Sequence, residues 1–301
     1  MPLKDRLLAL SVVIAWGLNF VIIKVGLHDM PPFLLAGLRF ALVAVPAVFV
    51  VKPPQVPFKW LLAYGMTISF GQFAFLFLAI KLGMPAGIAS LVLQAQAFFT
   101  MLFAGVLLGE KLKWYHLAGM LVAGVGMLLL AQAGQGSRQG ESLPLLPLLL
   151  TLGAALSWSL GNISNKVIAT KYPTPVMSLV VWGALIPVLP FFLCSWLFEG
   201  PEVIQHSLVN LSVQTALSLV YLAFFATLYG YAVWGNLLKR YETWRVAPLT
   251  LLVPVVGLAS AAALLGETLS VAQVGSVAVI VVGLLLNMFG GLIGRRRQAH
   301  A

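Results

Sequence analysis

Ten long apolar runs, separated by short polar breaks, dominate the pattern of hydrophobic and polar positions along the chain. The runs cover about 7–26, 33–51, 60–80, 86–108, 114–133, 144–165, 175–198, 211–236, 246–265 and 271–290. Each is close to the roughly 20 mainly apolar residues that a helix needs to cross a bilayer. Turn-forming residues mark the breaks, as in Tyr172-Pro173-Thr174-Pro175. The pattern therefore predicts an all-α integral membrane protein with ten transmembrane helices.

The predicted helices divide into two halves of five. The longest polar connection, 134–142, is rich in Gly, Gln and Ser, as is typical of a flexible linker. It separates a first five-helix repeat at 1–133 from a second at 143–290, and a basic cytoplasmic tail follows at 291–301. Because each half has an odd number of spans, tandem copies insert in opposite orientations. Such inverted repeats are typical of secondary transporters, which bind substrate near the membrane midplane and work by alternating access.

Two sequence motifs recur in the two halves and support this duplication. A Trp and a Lys stand eight positions apart in each half, and a Leu-Gly-Glu motif follows the fourth apolar run of each half. The residues concerned are Trp16 and Lys24, Trp158 and Lys166, Glu110 and Glu267. The matches keep the same order, with offsets of 142 and 157 positions, so chance similarity between apolar segments explains them poorly.

The composition excludes most soluble classes of protein. Of the 301 residues, 61% are hydrophobic and 9% charged, and the mean hydropathy is +1.01. A soluble domain is typically ~45–50% apolar and ~25% charged. The single cysteine, Cys194, rules out an intrachain disulfide. We therefore exclude a soluble enzyme, a disordered chain and a secreted disulfide scaffold.

The net charge of +10 is explained by the predicted topology. Fourteen of the 18 Lys and Arg fall on the side that holds the N-terminus: Lys4, Arg6, Lys52, Lys59, Lys111, Lys113, Lys166, Lys171, Lys239, Arg240, Arg245, Arg295, Arg296 and Arg297. The positive-inside rule then places both termini in the cytoplasm. Because the basic residues lie between apolar runs and form no patch, we expect the lipid bilayer as a partner and no nucleic acid.

Polar side chains within the predicted spans are candidates for lining a substrate pathway, because they are costly in hydrocarbon. They are Asn19, Gln72, Gln94, Gln96, Asn162, Tyr229 and Tyr231. The alternative is hydrogen bonding between helices. Gln94 and Gln96 point about 200° apart on an α-helix, so we expect one to line the pathway and the other to tie helices together. An amide can meet either the ammonium or the carboxylate of a zwitterion.

Three further residues lie deep within spans and allow two interpretations each. Trp16 and Trp158 either pack in the core or form the apolar walls of a cavity. Arg39 is the only formal charge well inside a span. It either snorkels outward or pairs with a carbonyl at a helix end, or it attracts a substrate carboxylate or holds an outer gate.

Prolines within the spans are candidate hinges. Pro187 and Pro190 lie in the seventh span, and Pro254 lies in the ninth. Pro254 has no N–H, so the carbonyl of Thr250 loses its helical donor. Such sites serve as hinges, as carbonyls that line a cavity, or as tolerated kinks.

No Asp, Glu or His lies in the middle of the predicted spans, which restricts energy coupling. All eight carboxylates lie near loops, and the four His residues are scattered in loops and the tail. No phosphate-binding Gly-x-x-x-x-Gly-Lys loop is present, so this chain alone does not use ATP. We expect downhill release, or coupling through a group at a span end. Neither a metal nor a cofactor is expected, and no convergent acids or nucleophile point to an enzyme.

Several segments carry a family resemblance. The pattern runs through Trp-Gly-x-Asn-Phe-x-x-x-Lys from Trp16, then Pro31-Pro32, then Leu-Arg-Phe around Arg39, then Leu-Gly-Glu in each half. This pattern, which covers nearly the whole chain, resembles the EamA family of the drug/metabolite transporter superfamily. The resemblance implies a secondary transporter of the bacterial inner membrane.

The longer segments 64–75, 83–100 and 241–249 extend the resemblance and imply what is transported. They point to export of small amino-acid metabolites, with O-acetylserine and cysteine as the expected substrates. The alternatives are a broad drug or amino-acid effluxer of the same superfamily, and then a channel or a membrane-embedded enzyme. The oligomeric state is open, and the two fused halves are compatible with a monomer.

Overall fold

A computed structural model describes residues 2–110, 113–133, 145–241 and 246–298. Within these ranges the chain is helical and contains no strand. The predicted linker at 134–142 lies outside the described residues. Of the predicted tail, 291–298 continue the last helix, and 299–301 lie outside the described residues.

The described helices follow the ten predicted runs, with one short helix added. They are α1 Leu3–Asp29, α2 Pro32–Ala47, α3 Phe58–Lys81, α4 Ala86–Leu108, α5 Trp114–Ala133, α6 Leu145–Lys171, α7 Val176–Glu199, α8 Pro201–Val209, α9 213–240, α10 247–265 and α11 Val271–Gln298. Six of them, α1, α3, α4, α6, α7 and α9, are long and apolar enough to cross a membrane. The apolar stretches of α2, α5, α10 and α11 are shorter. The crossing of all ten remains a prediction.

Proline and serine residues set where several helices begin. Pro32 is the first residue of α2, where its missing N–H costs no helical hydrogen bond. Pro201 begins α8 in the same way, directly after Gly200. The hydroxyl of Ser212 accepts a hydrogen bond from the backbone N–H of Thr215 and so caps the start of α9.

Five of the described helices depart from regular α-helical hydrogen bonding, among them α7, whose last segment, Ser195–Glu199, is π-helical. In the other four the departures occur at matching places in the two halves. A π-helical segment interrupts α3 at Gly65–Gly71, and another interrupts α9 at Tyr221–Tyr229. A 3₁₀ turn interrupts α4 at Leu93–Ala95, and α10 begins with one at Ala247–Leu251. The interruptions in the two halves stand close to 157 positions apart, the offset of the two Leu-Gly-Glu motifs. Interruptions of this kind are often found at functional sites.

The two Leu-Gly-Glu motifs end α4 and α10 in the same way. Gly109 and Gly266 adopt left-handed backbone conformations, with φ of 69° and 65°. Glycine accepts positive φ without steric cost, which explains its place in the motif. The backbone N–H of the following Glu then bonds to the carbonyl six residues earlier, at 3.2 Å from Glu110 and 3.3 Å from Glu267. Each motif therefore places a carboxylate at a helix end.

The two halves interlock. Helix α1 packs along α9 and α10, and α6 packs along α3 and α4. Glycines permit these close approaches, because a Cβ on Gly17 would lie 2.5 Å from Cβ of Val256, and a Cβ on Gly161 would lie 2.6 Å from Cβ of Ile68. The interface between the two halves is therefore formed by closely packed helices from each of them.

The predicted hinge prolines lie at or next to irregular parts of their helices. Pro187 separates two segments of α7, Val176–Leu185 and Val188–Cys194, and Pro190 lies inside the second. Pro254 is the third residue of the α-helical part of α10, just after its 3₁₀ turn. Their role as hinges stays a prediction.

Candidate functional site

A cavity of about 480 Å³ lies between the two halves of the helix bundle. Nine of the ten predicted pathway residues line it: Trp16, Asn19, Arg39, Gln72, Gln94, Gln96, Trp158, Asn162 and Tyr231. These residues come from α1, α2, α3, α4, α6 and α9. The fold therefore brings together polar and aromatic side chains that are far apart in the sequence.

Tyr229 is the tenth predicted residue, and it is not among the described residues that line the cavity. Its exposed side chain points the other way, and its hydroxyl lies 2.7 Å from Oγ of Ser11 on α1. Residues two positions apart on a helix project in widely different directions. Tyr231 faces the cavity, and Tyr229, two positions earlier, faces away from it.

Both Gln94 and Gln96 line the cavity, so the expectation that only one of them does is wrong. Each also ties α4 to the second half. Nε2 of Gln94 donates to the carbonyl of Thr250 at 3.3 Å, and Nδ2 of Asn162 donates to Oε1 of Gln96 at 2.8 Å. Gln94 lies in the 3₁₀ turn of α4, and Gln96 directly follows that turn. Two positions advance by about 240° in a 3₁₀-helix, against about 200° in an α-helix. The smaller angle between the two side chains is therefore about 120° instead of about 160°, which brings them closer to one face.

The carbonyl that accepts from Gln94 is the one whose helical donor Pro254 removes. The proline nitrogen carries no N–H for the carbonyl four residues earlier, which is that of Thr250. Thr250 itself lines the cavity. Gln94 of the first half thus supplies a hydrogen bond to a carbonyl that lacks its usual helical donor in the second half.

Aromatic side chains form one wall of the cavity. The ring centroid of Trp16 lies 5.7 Å from that of Tyr231 and 5.2 Å from that of Trp234. Nε1 of Trp16 donates to the carbonyl of Ala226 at 2.9 Å, which fixes the indole. Trp158 lines the cavity from α6. Of the two interpretations of the deep tryptophans, these positions agree with apolar walls.

Arg39 lies deep in the cavity wall and is 3% exposed, so it does not snorkel. Its Nη2 donates to Oγ1 of Thr227 at 3.1 Å, rather than to a carbonyl at a helix end. Its guanidinium carbon lies 4.1 Å from the ring centroid of Phe73, a cation–π contact. The guanidinium is therefore held in place from two sides.

The cavity reaches the surface at the end of the bundle that holds the N-terminus. Val176 and Leu238, each 39% exposed, line it there. The N-terminus lies at this end because Asp5 accepts a hydrogen bond from Arg240 at 3.3 Å and another from Tyr241. The bond to the Asp5 carboxylate raises the pKa of the Tyr241 hydroxyl, because it stabilises the protonated form.

At the opposite end the lining is buried and the helices are tied together. Phe20 and Leu76, which line the cavity toward that end, are buried. There the carboxylate of Glu267 lies 2.7 Å from Nζ of Lys24, and it accepts hydrogen bonds from the backbone N–H groups of Ala86 at 2.9 Å and Gly87 at 3.0 Å. A carboxylate at the start of a helix is favourable. One side chain thus joins α1, α4 and the end of α10.

The corresponding Lys and Glu, Lys166 of the second half and Glu110 of the first, also form an ion pair, at the end that holds the N-terminus. Its side chains are 51% and 46% exposed, whereas that of Glu267 is 14% exposed. The Lys and Glu residues that recur in the two halves therefore form one ion pair at each end of the bundle. The pair at the end that holds the N-terminus is the more exposed to solvent.

A profile of the EamA-like transporter family matches residues 5–132 and 145–289, which is most of the chain. The chain belongs to the EamA-like transporter family. Membership, together with the apolar helices, shows a multi-pass membrane protein. It indicates a transporter rather than an enzyme.

Relatives within the family carry names that concern amino acids. The chain is 60% identical over 296 residues to a "Probable amino-acid metabolite efflux pump" of Salmonella typhimurium, covering 98% of both chains. It is 57% identical to a protein of the same name in Escherichia coli, covering 96% of both. A "Probable terminal-alkyne amino-acid exporter" of Streptantibioticus cattleyicolor is 27% identical, over 95% of this chain and 94% of that protein.

The fold is also found among solved structures. One crystal structure superposes with a TM-score of 0.66 and 24% sequence identity, covering 98% of this chain and 99% of that one. At this identity the likeness shows a shared fold.

The cavity-lining residues that sequence reasoning missed include Tyr64, Asn165, Thr174 and Trp234. Asn165 stands three positions after Asn162, and Trp234 three after Tyr231, so each shares a helix face with a predicted residue. That spacing could have found them. Thr174 lies in a turn between helices, where no periodicity points to the cavity.

Proposed function

We propose that this protein exports small amino-acid metabolites across the bacterial inner membrane, with O-acetylserine and cysteine as substrates. The observation that carries the proposal is the cavity between the halves, whose lining combines uncharged polar and aromatic side chains with one cation, Arg39. The names of the two relatives above 50% identity support an amino-acid metabolite as cargo.

The proposed topology has ten membrane-crossing helices arranged as two inverted repeats, at 1–133 and 143–290, with both termini in the cytoplasm. In that orientation the cavity reaches the surface on the cytoplasmic side, so substrate enters from the cell interior. Rocking of one repeat against the other would then open the opposite end. The recurring interruptions of α3 and α9, and of α4 and α10, support this symmetry.

A broad effluxer is the second candidate, and the size of the cavity favours it. Its volume of about 480 Å³ falls within the roughly 300–1,000 Å³ of pockets for drug-sized ligands. The aromatic wall of Trp16, Tyr231 and Trp234 can also pack against apolar groups larger than a thiol. The experiment must therefore compare cysteine-pathway metabolites with other compounds.

The test is export from living cells. The chain is expressed in bacteria supplied with excess cysteine precursor, and O-acetylserine, cysteine and several unrelated amino acids are quantified in the medium by mass spectrometry. Variants Gln72→Ala and Gln94→Ala are compared with Tyr229→Phe, which lies outside the cavity lining, at matched membrane levels. We expect selective release of the two metabolites by the original chain and by Tyr229→Phe, and reduced release by the other two.

Other results would change the proposal in defined ways. Release of every compound would favour the broad effluxer. Normal membrane insertion without release of O-acetylserine or cysteine would contradict the proposed substrates.

A further inference from the structure

Three buried side chains in the cavity carry polar atoms that no described residue satisfies. They are Nε and Nη1 of Arg39, Oε1 of Gln72 and Oδ1 of Asn19. All three side chains are more than nine-tenths buried, and all three line the same cavity. A buried donor or acceptor without a partner is costly. Three such groups around one space therefore point to a bound molecule that completes them.

The positive charge of Arg39 indicates which chemical group the bound molecule presents to it. Among the described residues, the ion pairs are Lys24–Glu267, His28–Asp29, Lys166–Glu110 and Arg240–Asp5, and Arg39 takes part in none of them. A cation inside a membrane protein normally pairs with an opposite charge or with backbone carbonyls. The hydroxyl of Thr227 and the ring of Phe73 hold the guanidinium but bring no negative charge. A carboxylate on the substrate would supply it.

Gln72 and Asn19 offer the complementary chemistry. The unpartnered atoms of both are carbonyl oxygens, which accept hydrogen bonds. An ammonium group carries donors only. These two oxygens therefore suit a protonated amine, whereas the free N–H groups of Arg39 suit a carboxylate.

We propose that Arg39 binds the carboxylate of the transported molecule and that Gln72 and Asn19 bind its ammonium group. The inference rests on the proposed function and deepens it, because it makes a free carboxylate and a free ammonium the basis of recognition. Side chains of the substrate would lie against the aromatic wall, where selection is by size. O-acetylserine then fits the site, whereas its isomer N-acetylserine, which has no ammonium group, does not.

Binding measurements on the full chain in lipid nanodiscs test this directly. Trp16, Trp158 and Trp234 line the cavity, so binding changes the tryptophan fluorescence. Cysteine is compared with cysteamine, which lacks the carboxylate, and with 3-mercaptopropionate, which lacks the ammonium. Methionine is compared with its decarboxylated amine and its deaminated acid. Losing a hydrogen-bonded charge is expected to weaken binding about tenfold to a hundredfold.

Variants assign each group to its side chain. Arg39→Gln should bind cysteine and cysteamine equally, and Arg39→Lys should keep part of the preference for cysteine. Gln72→Leu should instead lose the preference for cysteine over 3-mercaptopropionate. Tyr229→Phe is the matched control and should behave like the original chain. A merely structural role for Arg39 would weaken all three ligands together.

The outcomes separate this inference from the proposed function. Equal binding of cysteine and cysteamine by the original chain overturns the inference, even if cells export cysteine. Tight binding of methionine, but of neither of its fragments, supports the inference even if cysteine is not exported, in which case only the proposed substrates fail. Binding of no amino acid overturns the inference.

Discussion

Lys24 and Glu267 stand 243 positions apart in the sequence, and their charged groups meet at 2.7 Å. The same carboxylate accepts two backbone N–H groups at the start of α4. One side chain of the second half therefore fastens two helices of the first half at the closed end of the cavity.

Replacing this carboxylate should destabilise the protein. Glu267→Gln removes the charge that serves Lys24, Ala86 and Gly87, and hydrogen bonds to charged groups contribute about 1.5–3 kcal/mol each. We expect a clear fall in melting temperature, measured on detergent-solubilised protein by size-exclusion chromatography after heating. Glu110→Gln is the matched control, because its exposed ion pair should contribute under about 1 kcal/mol. Equal losses in the two variants would contradict the difference in burial.

The contact between α3 and α6 should tolerate no side chain at Gly71 unless its neighbour is shortened. A Cβ at this position would overlap Oγ of Ser157, which donates to the carbonyl of Thr67 at 2.8 Å. Gly71→Ala is therefore expected to cost roughly 1–3 kcal/mol through overpacking. Ser157→Ala removes the overlapping oxygen, so the double variant should recover most of that loss. Additive losses in a double-mutant cycle of melting temperatures would show that the two residues do not meet.

Pro254 should affect transport more than stability. Pro254→Ala supplies an N–H that can bond to the carbonyl of Thr250, which now accepts from Gln94. We expect an unchanged or higher melting temperature and a severalfold fall in export, because α10 becomes more regular next to the cavity. Pro201→Ala, at the start of α8, is the control and should leave both unchanged. Unaltered export by Pro254→Ala would contradict the hinge interpretation.

Transport should follow the substrate gradient. The acidic side chains that the structure describes lie at or near helix ends, as Asp5, Glu199 and Glu267 do. A proton-coupled transporter normally carries a titratable group within the membrane. In proteoliposomes loaded with labelled cysteine, dissipating the proton gradient should change efflux by less than about twofold. Strict dependence on the gradient would assign coupling to one of these helix ends.

The sequence located most of the cavity because of a simple physical rule. Polar groups such as Gln72 and Asn162 are too costly to face lipid, so their presence in apolar runs already implied an interior or watery place. The same rule does not predict which side of a helix faces the cavity. It therefore selects both Tyr229 and Tyr231, although only Tyr231 lines the cavity.

Local departures from α-helical geometry account for what the pattern missed. The 3₁₀ turn at Leu93–Ala95 brings Gln94 and Gln96 to one cavity, and nothing in the hydrophobic pattern marks that turn. The hydrophobic pattern likewise does not predict the short helix α8, which lies in the break between two predicted spans. Thr174 depends on how a loop folds over the cavity mouth, which no periodicity encodes.

The packing of α1 along α9 and α10 has a consequence for biosynthesis. Helix α1 leaves the ribosome well before these partners do, because Lys24 precedes Glu267 by 243 residues. At roughly 5–20 residues per second, translation takes on the order of 10–50 seconds to span that interval. Throughout that time the lysine lacks its carboxylate, so this end of the cavity is completed only after the segment that carries Glu267 has been made.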